Sequence, residues 1–462
     1  MRYTMSITEM DFTKTGRRVD FKLQIQKLTF NPASAIDDDP GEEAEEKLAE
    51  EGYQRPLASP TFTRQAWYVL IASFIVLFFA VGPIYSYCIV LNKLMVPMLP
   101  PSSPGASIAL ISSLACGLMA AGFPFAGWLA EKTGHRVLTV TGLLMTSVGL
   151  LLSSFSFSFW QVIITQGIMV GCGTCLVFYT ASTISLPWFR LRRRIPIALN
   201  ALAIGLGGVV YAFIYSTSLD SRTSLRISAA MVLFPSIIVT PFLKKRMPSL
   251  VRERVVDFSR LRDFRMLGLL IVCFLTSLSF LMPFNVFIIF SDDYSLSQAE
   301  LTRLIAAICG GLALGGTVLP FLSIYLGIIN TMLSSLFFVG LMGLTVWLFN
   351  TDFIALAAFA ILHGMFSGSM LTMLPLSAFL LGVPSAIQTL GTMYLANGIA
   401  TMIGPPTASA FIEMIPFGRA WPYPFLPAVI FTSATTIISG TLLLWVKRKF
   451  NIKRRYTNCQ RL

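Results

Sequence analysis

The densest cluster of chemically active side chains in this sequence lies in the ten-residue stretch GWLAEKTGHR. Glu131, Lys132, His135 and Arg136 fall within six positions of a 462-residue chain that is only 12% charged. A carboxylate at a helix end can pair with a cationic side chain or with the N-terminus of a neighbouring helix. This spacing therefore offers ion pairing, and we expect a contact that forms and breaks rather than a catalytic site.

Other reactive side chains are few and lie apart from one another. Cys172 and Cys175 have the spacing of a redox pair, but in an apolar, glycine-rich run we expect them to be small packing residues. His363 is the only histidine inside an apolar run, where it could carry a proton or act as a neutral hydrogen-bonding group. No acidic cluster accompanies it, so we predict no catalytic residue, no metal site and no cofactor.

Composition identifies the elements that hold these residues as membrane-spanning helices. The chain is 55% hydrophobic with a mean hydropathy of +0.72, and a soluble domain would carry about twice its share of charge. Apolar runs of roughly 20 residues recur from 66 to 446, each long enough to cross a bilayer as a helix. The net charge of +13 does not indicate nucleic-acid binding, because the basic residues sit at the ends of these runs. We predict an all-α membrane protein.

The apolar runs group into two sets of six. A basic linker at 244–265 separates a predicted six-helix bundle at 66–243 from a second at 266–446. Residues 1–65 are predicted to form a disordered tail in the cytosol, and 447–462 a basic one. The twelve predicted transmembrane helices are 66–91, 106–129, 136–157, 160–184, 195–218, 223–243, 266–290, 299–321, 326–348, 353–378, 388–412 and 424–446.

The distribution of Lys and Arg sets the orientation. If the N-terminus is cytosolic, 21 basic residues after residue 65 face the cytosol and 5 face the opposite side. This asymmetry is the orientation signal of membrane proteins, and it predicts that both the N- and C-termini are cytosolic. The GWLAEKTGHR stretch then lies on the cytosolic side, between helices 2 and 3.

With the helices counted, this stretch resembles the loop between helices 2 and 3 of the major facilitator superfamily. The pattern is a glycine, an acidic and then a basic residue, a second glycine and a second basic residue, here Gly127, Glu131, Lys132, Gly134 and Arg136. The resemblance implies a cytosolic gate that holds one side of the protein shut. Gly127 would let another helix approach closely, and Gly134 would permit a tight turn. The superfamily usually has Asp where Glu131 stands.

Further segments resemble the monocarboxylate-porter-like branch of that superfamily, particularly its fungal members. Leu186–Tyr211 resembles the connection between helices 4 and 5, with an aromatic pair followed by the basic segment Arg192, Arg193 and Arg194. LHGMFSGSMLTMLPLSAF and ANGIATMIGPPTASAFIE resemble helices 10 and 11. The resemblance covers most of 66–446 and implies a transporter in which helices 1, 4, 7 and 10 line a central path.

Prolines and small residues fit that architecture. Pro83, Pro283 and Pro375 are predicted to interrupt helices 1, 7 and 10, three of the four helices expected around the path. Two glycines four positions apart on one helix leave room for a neighbouring helix. We therefore expect close contacts between helices at three such pairs, Gly167 and Gly171, Gly311 and Gly315, and Gly364 and Gly368.

The charged residues with which such porters hold a carboxylate are missing. The branch often has an Arg in helix 8 and sometimes a Lys in helix 1, and the aligned positions here are Thr317 and Tyr85. A buried carboxylate needs a charge-assisted partner, so we expect a substrate that is neutral, largely apolar, or held by hydroxyls and amides. The candidate residues of the substrate or proton path are Tyr85, Tyr179, Asn285, His363 and Asn397.

Together these observations predict a secondary active or facilitative transporter of a small organic solute, monocarboxylate-porter-like and working by alternating access. Two alternatives stay open: an exporter of apolar or secondary metabolites, and a non-transporting nutrient sensor on a transporter fold. We expect a monomer without enzymatic activity, in contact with membrane lipid and a solute, with protons as a candidate coupling ion. We expect it in the plasma membrane rather than in a vacuolar or other internal membrane.

Overall fold

The computed structural model describes residues 64–95, 104–189, 192–217, 220–243, 263–293, 296–347, 352–380, 386–413 and 425–449. All regular secondary structure within these ranges is helical. Most of the predicted N-terminal tail, basic linker and C-terminal tail lies outside the described residues, and those three assignments stay predictions.

The described helices follow the predicted spans, and we group them into twelve stretches. Long apolar runs form helices in a bilayer because a helix satisfies its own backbone hydrogen bonds where water is absent. The stretches are α1 (Arg64–Ala80 and Gly82–Met95), α2 (Pro104–Ala121 and Phe123–Thr133), α3 (His135–Ser153), α4 (Phe159–Ile184, with a π-helical turn at Ile163–Met169), α5 (Arg194–Ser216), α6 (Ser221–Ile238 and Thr240–Phe242), α7 (Phe264–Phe280 and Met282–Asp293), α8 (Gln298–Leu326), α9 (Ile328–Met342 and Gly343–Trp347), α10 (Phe353–Leu380), α11 (Ala386–Glu413) and α12 (Leu426–Lys449).

Most of these stretches can span a membrane. Within the described residues, ten helices are long and apolar enough to do so, and the bent pair that forms α2 raises the number to eleven. The 28-residue α11 lies outside this set, and it carries amides, hydroxyls and two consecutive prolines. The chain is therefore a multi-pass membrane protein. The count of twelve spans, the two six-helix bundles and the orientation of the termini stay predictions.

Three stretches are divided into two α-helices at a proline. The breaks in α1, α2 and α7 each lie two residues before one, at Pro83, Pro124 and Pro283, where the missing N–H and the ring disfavour a continuous helix. The two parts of α2 meet at 51°. The breaks at Pro83 and Pro283 were expected, and the one at Pro124 was not. Pro375, which was predicted to interrupt helix 10, instead lies inside an unbroken α10. Neighbouring helices can satisfy the groups that such a proline frees.

Glycines bring α8 and α10 into backbone contact, as their spacing predicted. A Cβ atom on Gly315 would overlap the backbone oxygen of Met365, and one on Gly364 would overlap that of Ile308. The same kind of contact occurs at Gly311 and Gly368, the other members of the two pairs predicted on α8 and α10. Close approach of backbones is the main way in which membrane helices gain packing contact.

Two further contacts of this kind join α1–α6 to α7–α12. Gly117 of α2 lies against Gly398 of α11, and Gly205 of α5 lies against Ala313 of α8. The Met402 side chain of α11 also packs against Gly117. The four helices α2, α11, α5 and α8 therefore form the seam between the first and the last six stretches.

Replacing Gly315 by Ala should destabilise the protein, because the added methyl group has no room against the backbone of Met365. Overpacking of this kind costs about 1–3 kcal/mol, and we expect a lower midpoint of thermal unfolding in detergent. Gly310→Ala is the matched control, since a methyl group there would meet only Val209 Cγ2, at 3.9 Å. Equal midpoints for the two variants would contradict the contact.

Candidate functional site

A narrow cavity, the central cavity, lies inside the helix assembly and has walls from α1, α2, α4, α7, α9, α10 and α11. Its volume is about 50 Å³, which is room for only a few water molecules. Helices from both sides of the seam contribute to it. A larger solute therefore fits only if the two sets of helices move apart.

The wall of the central cavity is apolar and polarisable, with a few uncharged polar groups. Its sulfur-containing residues are Cys116, Met119, Cys273, Met332 and Met370. Its polar residues are Tyr85, Thr276, Ser277, Tyr394, Asn397 and Thr401. Among the described residues that line it there is no Asp, Glu, Lys, Arg or His. Sulfur atoms and aromatic edges favour contact with aromatic rings, so the wall suits an uncharged ring-bearing ligand.

Aromatic rings close the cavity towards the α2–α3 turn, and we call them the first cap. The ring of Tyr394 lies 4.6 Å from that of Phe123 and 5.3 Å from that of Phe178, measured between centroids. A second cavity, lined in part by Asn200, begins on the other side of these rings. The first cap joins α2 and α4 to α11 across the seam.

A second cap closes the opposite end. The ring of Tyr85 stands edge-on to Phe280 at 6.2 Å and to Phe284 at 6.0 Å, between centroids. Beyond it, the Ser112 hydroxyl donates to Asn285 Oδ1 at 2.8 Å. These contacts join α1 and α2 to α7, so this cap also crosses the seam.

The predicted path residues divide into two groups. Tyr85 and Asn397 line the central cavity. Asn285 lies beyond the second cap, where its Nδ2 also donates to the Leu281 carbonyl at 3.0 Å. Tyr179 packs its ring against Phe123 at 4.9 Å, on the outer side of the first cap, and His363 lines a smaller cavity beside the central one. The structure thus brings two of the five together.

The α2–α3 turn has the geometry that its glycine predicted. Gly134 ends α2 and begins α3 with φ +84°, a conformation that favours glycine, and its N–H donates to the Ala130 carbonyl at 3.0 Å. Gly127 is buried within α2. The Lys132 ammonium lies 3.7 Å from the centre of the Trp128 ring.

Comparison with known proteins assigns the family. A model described as Major Facilitator Superfamily matches residues 69–341, more than half of the chain. The chain belongs to the Major Facilitator Superfamily. The MFS-type transporter opdF of Penicillium oxalicum is 24% identical over 364 residues, covering 77% of this chain and 85% of that protein. The aspyridones efflux protein apdF of Emericella nidulans is 23% identical over 389 residues, covering 83% of this chain and 78% of that protein.

Solved structures of two transporters share this fold. The human organic anion transporter MFSD10 matches with a TM-score of 0.63 at 16% identity, covering 82% of this chain and 99% of that one. The nucleoside transporter NupG matches with a TM-score of 0.61 at 14% identity, covering 83% of this chain and 99% of that one. As a member of the superfamily, this chain is a multi-pass transmembrane transporter.

Arg136, the second basic residue of the superfamily's loop pattern, contacts backbone carbonyl groups rather than a carboxylate. Arg136 Nε donates to the Leu243 carbonyl at 3.0 Å, and Nη2 donates to that of Pro241 at 3.1 Å, so the side chain holds the end of α6. Glu131 is exposed and forms no ion pair within the described part of the chain. The basic segment lies at the start of α5, where Arg194 is half-buried. The gate itself stays a proposal.

Sequence reasoning missed most of the wall, although one signal was present. Tyr394, Asn397 and Thr401 are spaced by three and four positions, so they share one face of α11. Only Asn397 was singled out. The sulfur-containing residues follow no motif, and only the packing of seven stretches brings them together.

Arg136→Gln should lower the midpoint of thermal unfolding, because it removes the two hydrogen bonds to the end of α6. With the side chain exposed, we expect a loss of about 1 kcal/mol. Glu131→Gln neutralises a charge in the same motif without breaking an ion pair, and should leave the midpoint unchanged. If Glu131→Gln lowered the midpoint as much as Arg136→Gln, the hydrogen bonds from Arg136 to the end of α6 would not be the motif's stabilising contact.

Proposed function

We propose that this transporter exports an uncharged, ring-bearing organic solute by alternating access. The observation that carries the proposal is the wall of the central cavity. It combines sulfur atoms, aromatic rings, hydroxyls and an amide, and its described residues include no carboxylate, amine, guanidinium or imidazole. Such a wall can hold an aromatic framework by dispersion and orient it with a few hydrogen bonds.

A monocarboxylate fits this wall poorly. Thr317, which aligns with the arginine of the porters, donates its hydroxyl to the Ala313 carbonyl at 2.6 Å and is not among the described residues that line the cavity. Tyr85 stands where some porters have a lysine. An ionised carboxylate buried without a cationic partner is strongly disfavoured. The resemblance to monocarboxylate porters therefore supports the architecture more than the substrate.

The two caps give alternating access a concrete form. Opening towards the α2–α3 turn requires Phe123 and Tyr394 to separate, and opening at the other end requires Tyr85 and Phe280 to separate. Each cap pairs a residue of α1–α6 with one of α7–α12. Rocking of one set against the other about the glycine seam would therefore open one cap while the other stays closed.

Export is favoured over uptake by the named relative. The protein apdF is described as an efflux protein for aspyridones, and it aligns with 83% of this chain. Export from the cell would place this protein in the plasma membrane. Both termini and the α2–α3 turn would then face the cytosol, as the distribution of Lys and Arg predicts, and the turn would act as the cytosolic gate.

The direct test measures flux through the purified full-length chain in liposomes. The panel pairs short monocarboxylates with uncharged aromatic alcohols and amides, each with and without a proton gradient. We expect flux of the uncharged aromatic solutes and little of the carboxylates. Flux of carboxylates alone would favour the monocarboxylate porter instead, and no flux of either class would favour the non-transporting sensor.

Thr401→Val should weaken transport of those uncharged solutes that carry a hydrogen-bonding group, because it removes a hydroxyl from the wall at nearly constant shape. A lost hydrogen bond of about 1 kcal/mol corresponds to a roughly fivefold rise in KM. Thr407→Val is the matched control on the same helix. Both hydroxyls donate to the carbonyl four residues earlier, at 2.8 Å, but Thr407 lies outside the cavity. Equal effects of the two variants on KM would contradict the assigned site.

A further inference from the structure

The smaller cavity that His363 lines adjoins the central one between α7, α9, α10 and α12, and we call it the side cavity. Its volume of about 10 Å³ is close to the space that one water molecule needs. The polar residues that line it are His363 and five with hydroxyl groups, Thr276, Ser279, Ser335, Ser367 and Thr436. Thr276, Phe280 and Met370 line both cavities, so these side chains lie between the two.

One nitrogen of the His363 ring is left open. The side chain is 5% exposed, and the imidazole hydrogen-bonds the backbone of Phe280. Nε2 has no hydrogen-bond partner among the described residues. A neutral imidazole has one donor and one acceptor nitrogen. Donation from Nδ1 to the Phe280 carbonyl therefore leaves the Nε2 lone pair free to accept a proton or a hydrogen bond.

The surroundings offer no counter-ion to a protonated imidazole while both cavities are closed. The groups that face it from α7, α9 and α12 are hydroxyls and apolar side chains, and apart from His363 no acid, base or thiol lines the side cavity within the described residues. An imidazolium there would be a buried charge without a counter-ion. Entry of water from the central cavity would remove that penalty, and the hydroxyl oxygens can accept from a protonated Nε2.

We propose that His363 Nε2 is a coupling-proton site, reached by water that passes Thr276 when the central cavity opens. The proton adds to the Nε2 lone pair from water on one side of the membrane and leaves from the same atom to the other side. This inference rests on the proposed alternating access. Because the open state binds the proton in preference to the closed state, acidification shifts the population towards open states.

Phe280 connects this site to the second cap. Its backbone hydrogen-bonds His363, and its ring meets the edge of Tyr85 at 6.2 Å. Phe280 is also the last residue before the break in α7. A change in the charge of His363 therefore acts on Phe280, which lies at the break in α7 and whose ring closes the central cavity.

The test measures the opening of the central cavity directly and needs no transported solute. Full-length protein in detergent is alkylated with N-ethylmaleimide at about pH 5.5 and about pH 7.5, on either side of the usual titration of histidine. Modification of Cys116 and Cys273, which line the central cavity, is quantified by peptide mass spectrometry. Cys309 is buried in α8 outside that lining and serves as the internal control for the effect of pH on thiol reactivity.

We expect acidification to raise the modification of Cys116 relative to Cys309 by at least about fivefold in the wild type. The ratio should stay constant in His363→Gln, and in His363→Asn, whose amide can still donate to Phe280. His135→Gln removes the only other histidine and should keep the rise. An equal rise in the His363 variants, or no rise in the wild type, would overturn the proton site. Neither outcome would affect the flux assay, on which the proposed export is judged separately.

Discussion

A charge at the centre of a bilayer costs about 2.5–3.5 kcal/mol even on the most permissive insertion scales, and this protein holds its cations at helix ends. Lys93 donates to the carbonyl of Tyr215 at the end of α5, and Arg222 to that of Ser156 beyond α3. Arg136 does the same for α6. The last carbonyls of a helix have no partner within it, so these cations satisfy groups that hydrocarbon would leave unpaired. Among the described residues the buried side chains are uncharged, and the chemistry of the central cavity follows from that.

The same constraint shapes how the helices can move. Among the described residues, the two sets of helices meet through glycines at the seam and through aromatic rings at the caps. Ring contacts of this type contribute about 0.5–1.5 kcal/mol each, so a few can separate at modest cost. One hydrogen bond between side chains, from Ser112 to Asn285, adds to the second cap. Under the proposed alternating access, closure at either end would then be weak enough for a bound solute to reverse it.

Much of the fold could be predicted from the sequence, because the bilayer requires long apolar helices and glycine spacing reports where they touch. Bends were harder. Pro83 and Pro283 break their helices, whereas Pro375 does not, since the outcome depends on which neighbours satisfy the freed groups. The sequence predicted only some of the residues that line the central cavity, for the same reason. Which face of a helix meets the cavity depends on kinks and rotation, so Asn397 lines it while Tyr179 lies beyond the first cap.

The central claim is that the charge-free space between the two caps is where the solute binds. Photolabelling tests it most directly, with an uncharged aromatic diazirine added to the full-length protein in nanodiscs and the labelled peptides mapped. The account predicts label on Met119, Met370 and Thr401 of the wall, displaced by an excess of a transported solute. Label confined to exposed residues of the outer surface, such as Trp160 and Phe213, and resistant to displacement would contradict it.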